Sequence, residues 1–111
     1  MKRGDIFFAQ LDPTEGAEIQ KTRPVLIVSN DVANRASSLV AVLPLSSNTT
    51  RIFPFEVELL TQDTGLPKDS KAMAQQVRTI DKLHLSAKRS GQVNTRKMPL
   101  IDAALRLHLG L

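Results

Sequence analysis

The most informative segment for the fold is Pro24-Val25-Leu26-Ile27-Val28, an apolar run with no polar interruption. Val25, Ile27 and Val28 are β-branched, and β-branched side chains pack well on the pleated surface of a sheet. A short continuous apolar run bounded by polar segments is typical of a buried strand. We therefore predict a buried strand here, with the other elements of the fold placed before and after it in the chain.

Further strands are predicted on both sides of this run. The segment 53–59 alternates from Phe53 as a half-buried strand should, and its Pro54 favours a sheet edge or the start of a strand. Polar segments separate the strands and predict loops, and Ser29-Asn30-Asp31 can cap a short helical turn. The predicted strands cover residues 5–11, 24–28, 39–45, 53–59 and 70–80, the loops cover 14–22 and 46–50, and a single helical turn is predicted at 80–85.

The chain has one long helical pattern, at its end. Leu100, Ile101, Ala104, Leu105 and His108 fall on one face of a helix. Many short strands followed by one helix predict a mainly β protein, a small barrel or curled sheet with the helix packed on it. A length of 111 residues suits a single domain, which we place at 1–111.

The charge of the chain suggests a polyanionic partner. The formal net charge is +4, and residues 82–101 contain lysines and arginines but no acid. A solvated basic face would give the same pattern. Phenylalanine is the only aromatic residue type, so a large base-stacking platform is not expected.

Composition removes several classes of site. The chain has no cysteine, its two histidines are far apart, and neither a metal-ligand spacing nor a phosphate-binding glycine loop is present. We expect no cofactor and no metal. No run approaches the roughly 18 apolar residues of a membrane helix, and we expect a cytoplasmic protein with no membrane contact.

Arginine, serine, threonine, glutamine and glutamate remain, and these residue types can still cleave RNA. The 2′-hydroxyl of RNA is an internal nucleophile, so a protein needs mainly to align it and to stabilise charge on the phosphate. An arginine matches two phosphate oxygens with its forked donors, and a hydroxyl can bind the same group.

A series of short motifs runs along nearly the whole chain in a fixed order. They are Arg3-Gly4-Asp5-Ile6-Phe7-Phe8, Leu11-Asp12-Pro13-Thr14-Glu15-Gly16-Ala17-Glu18, Thr22-Arg23-Pro24-Val25-Leu26-Ile27-Val28-Ser29-Asn30, Leu43-Pro44-Leu45-Ser46-Ser47-Asn48, Phe53-Pro54-Phe55-Glu56-Val57, Gln75-Gln76-Val77-Arg78-Thr79-Ile80-Asp81 and Leu105-Arg106-Leu107-His108-Leu109-Gly110-Leu111. In this order they resemble the MazF/PemK toxins of type II toxin–antitoxin systems.

The resemblance implies a fold, an activity and partners. The fold is a partly open, SH3-like barrel that forms a homodimer. The activity is metal-independent, sequence-selective cleavage of single-stranded RNA, leaving 2′,3′-cyclic phosphate and 5′-hydroxyl ends. The partners are the RNA substrate and a cognate antitoxin whose acidic C-terminal tail blocks the RNA groove.

Site residues follow from the motifs one at a time. Arg23 matches the family's catalytic arginine and Ser46 its catalytic threonine, so the hydroxyl is kept but a methyl is lost. The loop can also be aligned with Ser47 in that place. Gln76 matches a glutamine near bound RNA, although the adjacent Gln75 fits the same place. Glu18 matches an acidic residue of the first long loop.

Roles can be weighed from chemistry. An arginine stays protonated near neutral pH, which favours Arg23 as a phosphate clamp rather than as a general base. Ser46 would then hydrogen-bond a non-bridging oxygen, and Glu18 is a candidate base if its loop folds over the phosphate. The remaining candidates for RNA contact are Ser47, Asn48, Arg51, Arg78, Lys88 and Arg89.

Two other functions fit parts of this pattern. CcdB is a toxin with a similar barrel that binds DNA gyrase without catalysis, and such a binder needs no phosphate clamp. A degenerate family member that only binds RNA or antitoxin is the other alternative, and the serine in place of threonine keeps it open.

Overall fold

The computed structural model describes residues 1–11 and 22–111. Its strands are β1 (Asp5–Gln10), β2 (Thr22–Ile27), β3 (Leu39–Ser46), β4 (Glu56–Leu59), β5 (Ser70–Met73), β6 (Arg78–Asp81) and β7 (Gly91–Gln92). Its helices are α1 (Asp31–Ala36), α2 (Thr61–Thr64) and α3 (Met98–Leu109), and short 3₁₀ turns lie at Ala74–Gln76 and Lys82–His84.

The strands form one curled antiparallel sheet in the order β4-β5-β3-β2-β1-β7, with β6 added on β3. The long strand β3 pairs with β2 through Val42 to Pro44, with β5 through Leu45 and Ser46, and with β6 through Leu39 to Val42. Because β3 changes partners along its length, the sheet cannot stay flat. The prediction of a partly open barrel with a C-terminal helix packed on it is confirmed.

The sheet is buried on both faces around the central strands. Leu26 lies in one apolar cluster with Leu43, while Val25 and Ile27 lie in a second cluster with Val42. Strand β2 therefore supplies the cores on both faces, and the predicted buried strand is confirmed. Its observed limits, Thr22–Ile27, start two residues earlier than predicted.

Helix α3 covers the first of these clusters. Ile101 and Ala104 are buried against it, Leu105 is partly buried, and Pro99 lies in the first turn as expected. Leu100 and His108, however, are exposed, so the predicted apolar face was too wide. The buried stripe is narrow because α3 packs mainly against β4 and the 74–76 turn.

Two predicted strands were wrong in extent. The segment 70–80 is two strands separated by the Ala74–Gln76 turn. From Leu45 to Val42, β3 advances three residues while the opposite chain advances six, from Ala72 to Arg78. The extra residues bulge out of the sheet, which re-aims their side chains.

The strand predicted at 53–59 begins only at Glu56. Residues 54–55 form a turn that is closed by a hydrogen bond from the Glu56 N–H to the Phe53 carbonyl, at 2.9 Å. The turn brings the rings of Phe53 and Phe55 together, with their centroids 5.4 Å apart. Glu56 is therefore buried where the alternation predicted an outward residue.

The short helix α1 begins where the sequence predicted a cap. The Asn30 side chain accepts a hydrogen bond from the Ala33 N–H at 2.8 Å. An asparagine N-cap of this kind satisfies one of the free N–H groups at the helix start.

Replacing Leu43 with alanine is expected to destabilise the protein by about 2–5 kcal/mol, because truncating a fully buried leucine loses burial and leaves a cavity. The same change at Leu39, which is half-exposed on the same strand, should cost about 1 kcal/mol or less. Chemical denaturation of both variants measures the difference, and equal losses would contradict the position of Leu43 in the core.

Candidate active site

A cleft opens at the edge of the sheet where β2 begins and β3 ends. Its volume is about 520 Å³, which is within the usual range for small-ligand sites. Four strands, β1, β2, β3 and β5, and two loops contribute to its walls. The lining residues are Phe8, Thr22, Arg23, Pro24, Leu45, Ser46, Ser47, Asn48, Leu66, Pro67, Lys68 and Ser70.

Strand pairing sets Arg23 beside Ser46. Val25 lies opposite Pro44 in the β2–β3 ladder, and continuing this register by two residues places Arg23 across from Ser46. Opposite residues of an antiparallel pair project on the same face of the sheet. The guanidinium and the hydroxyl can therefore serve one ligand, although they are 23 residues apart in sequence.

The backbone of Arg23 is fixed in the sheet, while its side chain is exposed. It pairs with Ala9 of β1, and Pro24 follows it with a restricted backbone. Its exposed side chain can reach an anion in the cleft.

The loop after β3 is organised around its polar side chains. The Ser46 hydroxyl accepts a hydrogen bond from the Asn48 N–H at 3.1 Å, and the Asn48 side chain accepts one from the Thr50 N–H at 3.3 Å. Ser46 is half-buried and Ser47 exposed. Both line the cleft, so geometry keeps Ser46 as the first candidate and Ser47 as its alternative.

Gln76 is not among the residues that line this cleft. It is exposed in the 74–76 turn, and its amide nitrogen lies 3.7 Å from the Met73 sulfur. Gln75 is more enclosed and donates a hydrogen bond of 2.7 Å to Glu56. Its carbonyl oxygen is buried without a hydrogen-bond partner among the described residues.

Beside the cleft lies a cluster that the sequence did not predict, which we call the Glu56 cluster: Arg51, Phe53, Glu56, Lys71 and Gln75. The Arg51 guanidinium lies 4.5 Å from the Phe53 ring centroid. Lys71 donates to Glu56 at 3.0 Å and to the Arg51 carbonyl at 2.8 Å. The signal in the sequence is a lysine in a strand whose other residues, Ser70, Ala72 and Met73, are small or apolar.

The carboxyl of Glu56 is kept ionised by its neighbours. Burial raises the pKa of Glu56, but hydrogen bonds from the Phe53 N–H, Gln75 and Lys71 outweigh that effect and hold the pKa below its ordinary value. Several hydrogen bonds to one buried carboxylate restrict its motion and that of the groups that donate to it.

The other basic candidates are spread over the surface. Arg78 lies on β6 and Lys88 in the loop before β7, and both are exposed. Arg89 pairs with Asp5 at 3.3 Å and lines a different cleft, together with residues 62–65 and 90–94. Lys68 and Phe8, which line the candidate cleft, were missed by sequence reasoning.

Glu18 lies outside the described residues. Within residues 1–11 and 22–111, no group of three histidine, aspartate or glutamate side chains is arranged to hold a metal ion. The arrangement in the cleft therefore offers hydrogen-bond donors and positive charge, which are suited to a phosphate.

Comparison with known proteins defines the class of this fold and site. A family model described as the PemK-like, MazF-like toxin of type II toxin–antitoxin systems matches residues 2–109. The chain belongs to this family.

Individual relatives match over nearly their whole length. The chain is 39% identical to endoribonuclease MazF9 of Mycobacterium tuberculosis, covering 100% of this chain and 98% of the relative. It is 36% identical to endoribonuclease EndoA of Bacillus subtilis, covering 100% and 96%. The identified resemblance to the MazF/PemK family is thereby confirmed.

A solved structure titled endoribonuclease in complex with its cognate antitoxin, from a mycobacterial species, matches with a TM-score of 0.79 at 29% identity. That match covers 100% of this chain and 96% of the other. A MazE–MazF structure from Deinococcus radiodurans matches with a TM-score of 0.83 at 22% identity, covering 100% and 96%, and supports the fold alone.

Proposed function

We propose that this chain is the toxin of a type II toxin–antitoxin system and an endoribonuclease that cuts single-stranded RNA without a metal ion. The observation that carries the proposal is the meeting of Arg23 and Ser46 in one open cleft. Family membership and the names of the two curated relatives support the same activity.

The chemistry needs only groups that this chain has. The 2′-oxygen attacks phosphorus, the bond from phosphorus to the 5′-oxygen breaks, and the products end in a 2′,3′-cyclic phosphate and a 5′-hydroxyl. Arg23 binds the non-bridging oxygens and stabilises their added charge, and Ser46 donates a hydrogen bond to one of them. Glu18 is the candidate to accept the 2′-hydroxyl proton, and a water molecule supplies the proton that the 5′-oxygen takes up as it leaves.

A cleavage assay tests this proposal. Purified protein is mixed with a long single-stranded RNA in excess EDTA, and the fragment ends are analysed. We expect discrete fragments with cyclic phosphate and 5′-hydroxyl ends. Intact RNA across substrates of varied sequence, or ends with a 5′-phosphate, would overturn the proposed reaction.

We propose further that the protein is a homodimer that pairs through α3. Leu100, Leu107 and Leu111 are 50%, 57% and 85% exposed along this end of the chain. Leu100 and Leu107 line a groove between α3 and β4 together with Pro54, Val57 and the charged residues Glu56, Glu58 and Lys97. Exposed leucines along a helix, beside a groove with polar residues at its edge, are typical of a surface that a second copy covers.

Replacing Leu107 with glutamate is expected to shift the dimer to monomer, because the change would place a charge in an apolar interface. Sedimentation measures the molecular mass at several protein concentrations. The same change at Leu83, which is 91% exposed away from α3, should leave the mass unchanged. A monomeric wild type, or a dimer that tolerates Leu107→Glu, would contradict this interface.

The proposed partners are single-stranded RNA and a cognate antitoxin with an acidic C-terminal tail. Arg23 and Lys68 line the cleft, and positive charge there suits either the RNA backbone or an acidic segment. Of the helices that the structure describes, none has the length and apolar character needed to cross a membrane. We place the protein in the cytoplasm, where its RNA substrate is found.

A further inference from the structure

The Glu56 cluster joins segments that carry proposed site residues, and its centre is one ion pair. Lys71 Nζ and Glu56 Oε1 lie 3.0 Å apart, with the two side chains 12% and 2% exposed. Buried ion pairs are expensive to desolvate and often no more stabilising than apolar residues of the same size. Stability alone therefore does not account for a largely enclosed lysine in β5.

Strand register places Lys71 opposite Ser46. Lys71 is the register partner of Ser46 on one side and of Glu58 on the other, because β5 lies between β3 and β4. The chain leaves the sheet after Ser46, runs through residues 47–55 and returns as β4. Lys71 thus lies between the two ends of this loop.

The ion pair also holds the loop itself. Lys71 donates a hydrogen bond of 2.8 Å to the carbonyl oxygen of Arg51, and Glu56 accepts one of 2.9 Å from the N–H of Phe53. Both bonds are made to backbone groups in a segment that has neither helix nor strand structure. They fix the loop that continues from Ser46 and presents Ser47, Asn48 and Arg51.

The same carboxylate reaches the bulge between β5 and β6. Gln75 donates a hydrogen bond of 2.7 Å to the second carboxylate oxygen of Glu56. This bond orients the turn that also carries Gln76. One buried carboxylate therefore contacts both the loop after Ser46 and the turn before β6.

We propose that the Lys71–Glu56 ion pair is a positioning device for RNA cleavage, holding the 47–55 loop and the 74–76 turn in the arrangement that the reaction needs. The inference rests on the proposed endoribonuclease function. Neither residue touches the reacting atoms. They act through Ser46 and through the backbone of the 74–76 turn, whose placement they set.

Replacing Lys71 with methionine tests the inference, because it keeps a similar length but removes the charge and both hydrogen bonds. We expect kcat for cleavage of a short single-stranded RNA to fall about 10- to 100-fold with KM within about threefold, as expected when alignment rather than binding is lost. Lys71→Arg keeps donors for both partners and should stay within about threefold of wild type.

The chain offers a closely matched control pair. Lys97 Nζ lies 3.6 Å from Asp63 Oδ2 and donates a hydrogen bond of 3.1 Å to the Glu58 carbonyl. Lys97 therefore also bridges a buried carboxylate and a backbone oxygen. Asp63 likewise keeps a backbone donor, Leu60 N–H, and a side-chain amide donor, Asn94. Lys97→Met should lower stability about as much as Lys71→Met but leave kcat within about twofold. Because Lys97 also lines the groove between α3 and β4, the two variants are compared at concentrations where sedimentation gives both the same molecular mass.

Direct contact of Lys71 with the RNA is the competing explanation, and salt separates the two. A phosphate contact would make the salt dependence of RNA binding shallower when the lysine is removed. Binding to an uncleavable RNA with a 2′-deoxy residue at the cut site should show an unchanged salt slope for Lys71→Met. A shallower slope would overturn the positioning role.

The remaining outcomes distinguish failure of the proposed function from failure of this inference. If the wild type is inactive, the proposed function fails first. If the wild type is active and Lys71→Met matches Lys97→Met in kcat, only this inference fails. Should Lys71→Met not fold, the neutral pair Glu56→Gln with Lys71→Met removes the buried charge, and full activity in that double variant would overturn the proposal.

Discussion

Replacing Arg23 with alanine is expected to lower the rate of RNA cleavage by about a thousandfold. Removing one donor that stabilises transition-state charge typically costs 10²–10³ in kcat, and a forked guanidinium supplies two such donors. Because Arg23 is exposed, the change should alter the free energy of unfolding by no more than about 0.5 kcal/mol. Single-turnover cleavage rates in EDTA measure the effect.

The size of the loss distinguishes a clamp from a simple charge. Arg23→Lys keeps the positive charge but loses the planar fork, so it should recover only part of the rate, by about tenfold over alanine. Full activity in the lysine variant would indicate that charge alone matters. Arg35, exposed in the last turn of α1 and away from the cleft, is the control, and Arg35→Ala should cleave like wild type.

The elements that could be predicted from sequence are those whose causes are local. An apolar β-branched run predicted β2, a proline and an apolar period predicted α3, and an asparagine predicted the start of α1. In each case the residues that form the element also carry the signal. Tertiary context changed only their limits and the width of the buried face.

The features that were predicted wrongly depend on contacts with residues distant in sequence. Nothing within 70–80 indicates where the chain must bulge, because the bulge is set by the change of register along β3. The burial of Glu56 is likewise a consequence of Lys71, Gln75 and the Phe53 turn meeting around it. A carboxylate inside an alternating segment looks solvent-exposed until its donors are known.

The candidate site shows the same division. Motifs identified Arg23 and Ser46 separately, but their adjacency follows from the pairing of β2 with β3. Gln76 shares a motif with its family yet lies outside the lining of the cleft, because the 74–76 turn carries it away from β5. Phe8 and Lys68 line the cleft because of the fold. Phe8 belongs to the first motif but nothing there indicated a site residue, and Lys68 belongs to no motif.

Changing Ser46 should have the second large effect. Ser46→Ala removes the hydroxyl that is set opposite Arg23, and we expect cleavage to slow by about a hundredfold through loss of one transition-state hydrogen bond. The alanine also loses the acceptor for the Asn48 N–H, but that bond is exposed, so water can replace it at little cost in stability. Cleavage rates and thermal unfolding, measured on the same preparations, separate chemistry from folding.

The threonine variant is the more informative change at this position. Ser46→Thr keeps the oxygen and adds the methyl that the family's threonine carries, which restricts rotation about χ1. A serine already held by the Asn48 N–H has little freedom left to lose, so we expect Ser46→Thr to cleave within about threefold of wild type. A tenfold or greater gain would mean that the serine is poorly positioned. If Ser47→Ala, rather than Ser46→Ala, abolishes cleavage, the hydroxyl that binds the phosphate belongs to Ser47, one residue further into the loop that Lys71 holds.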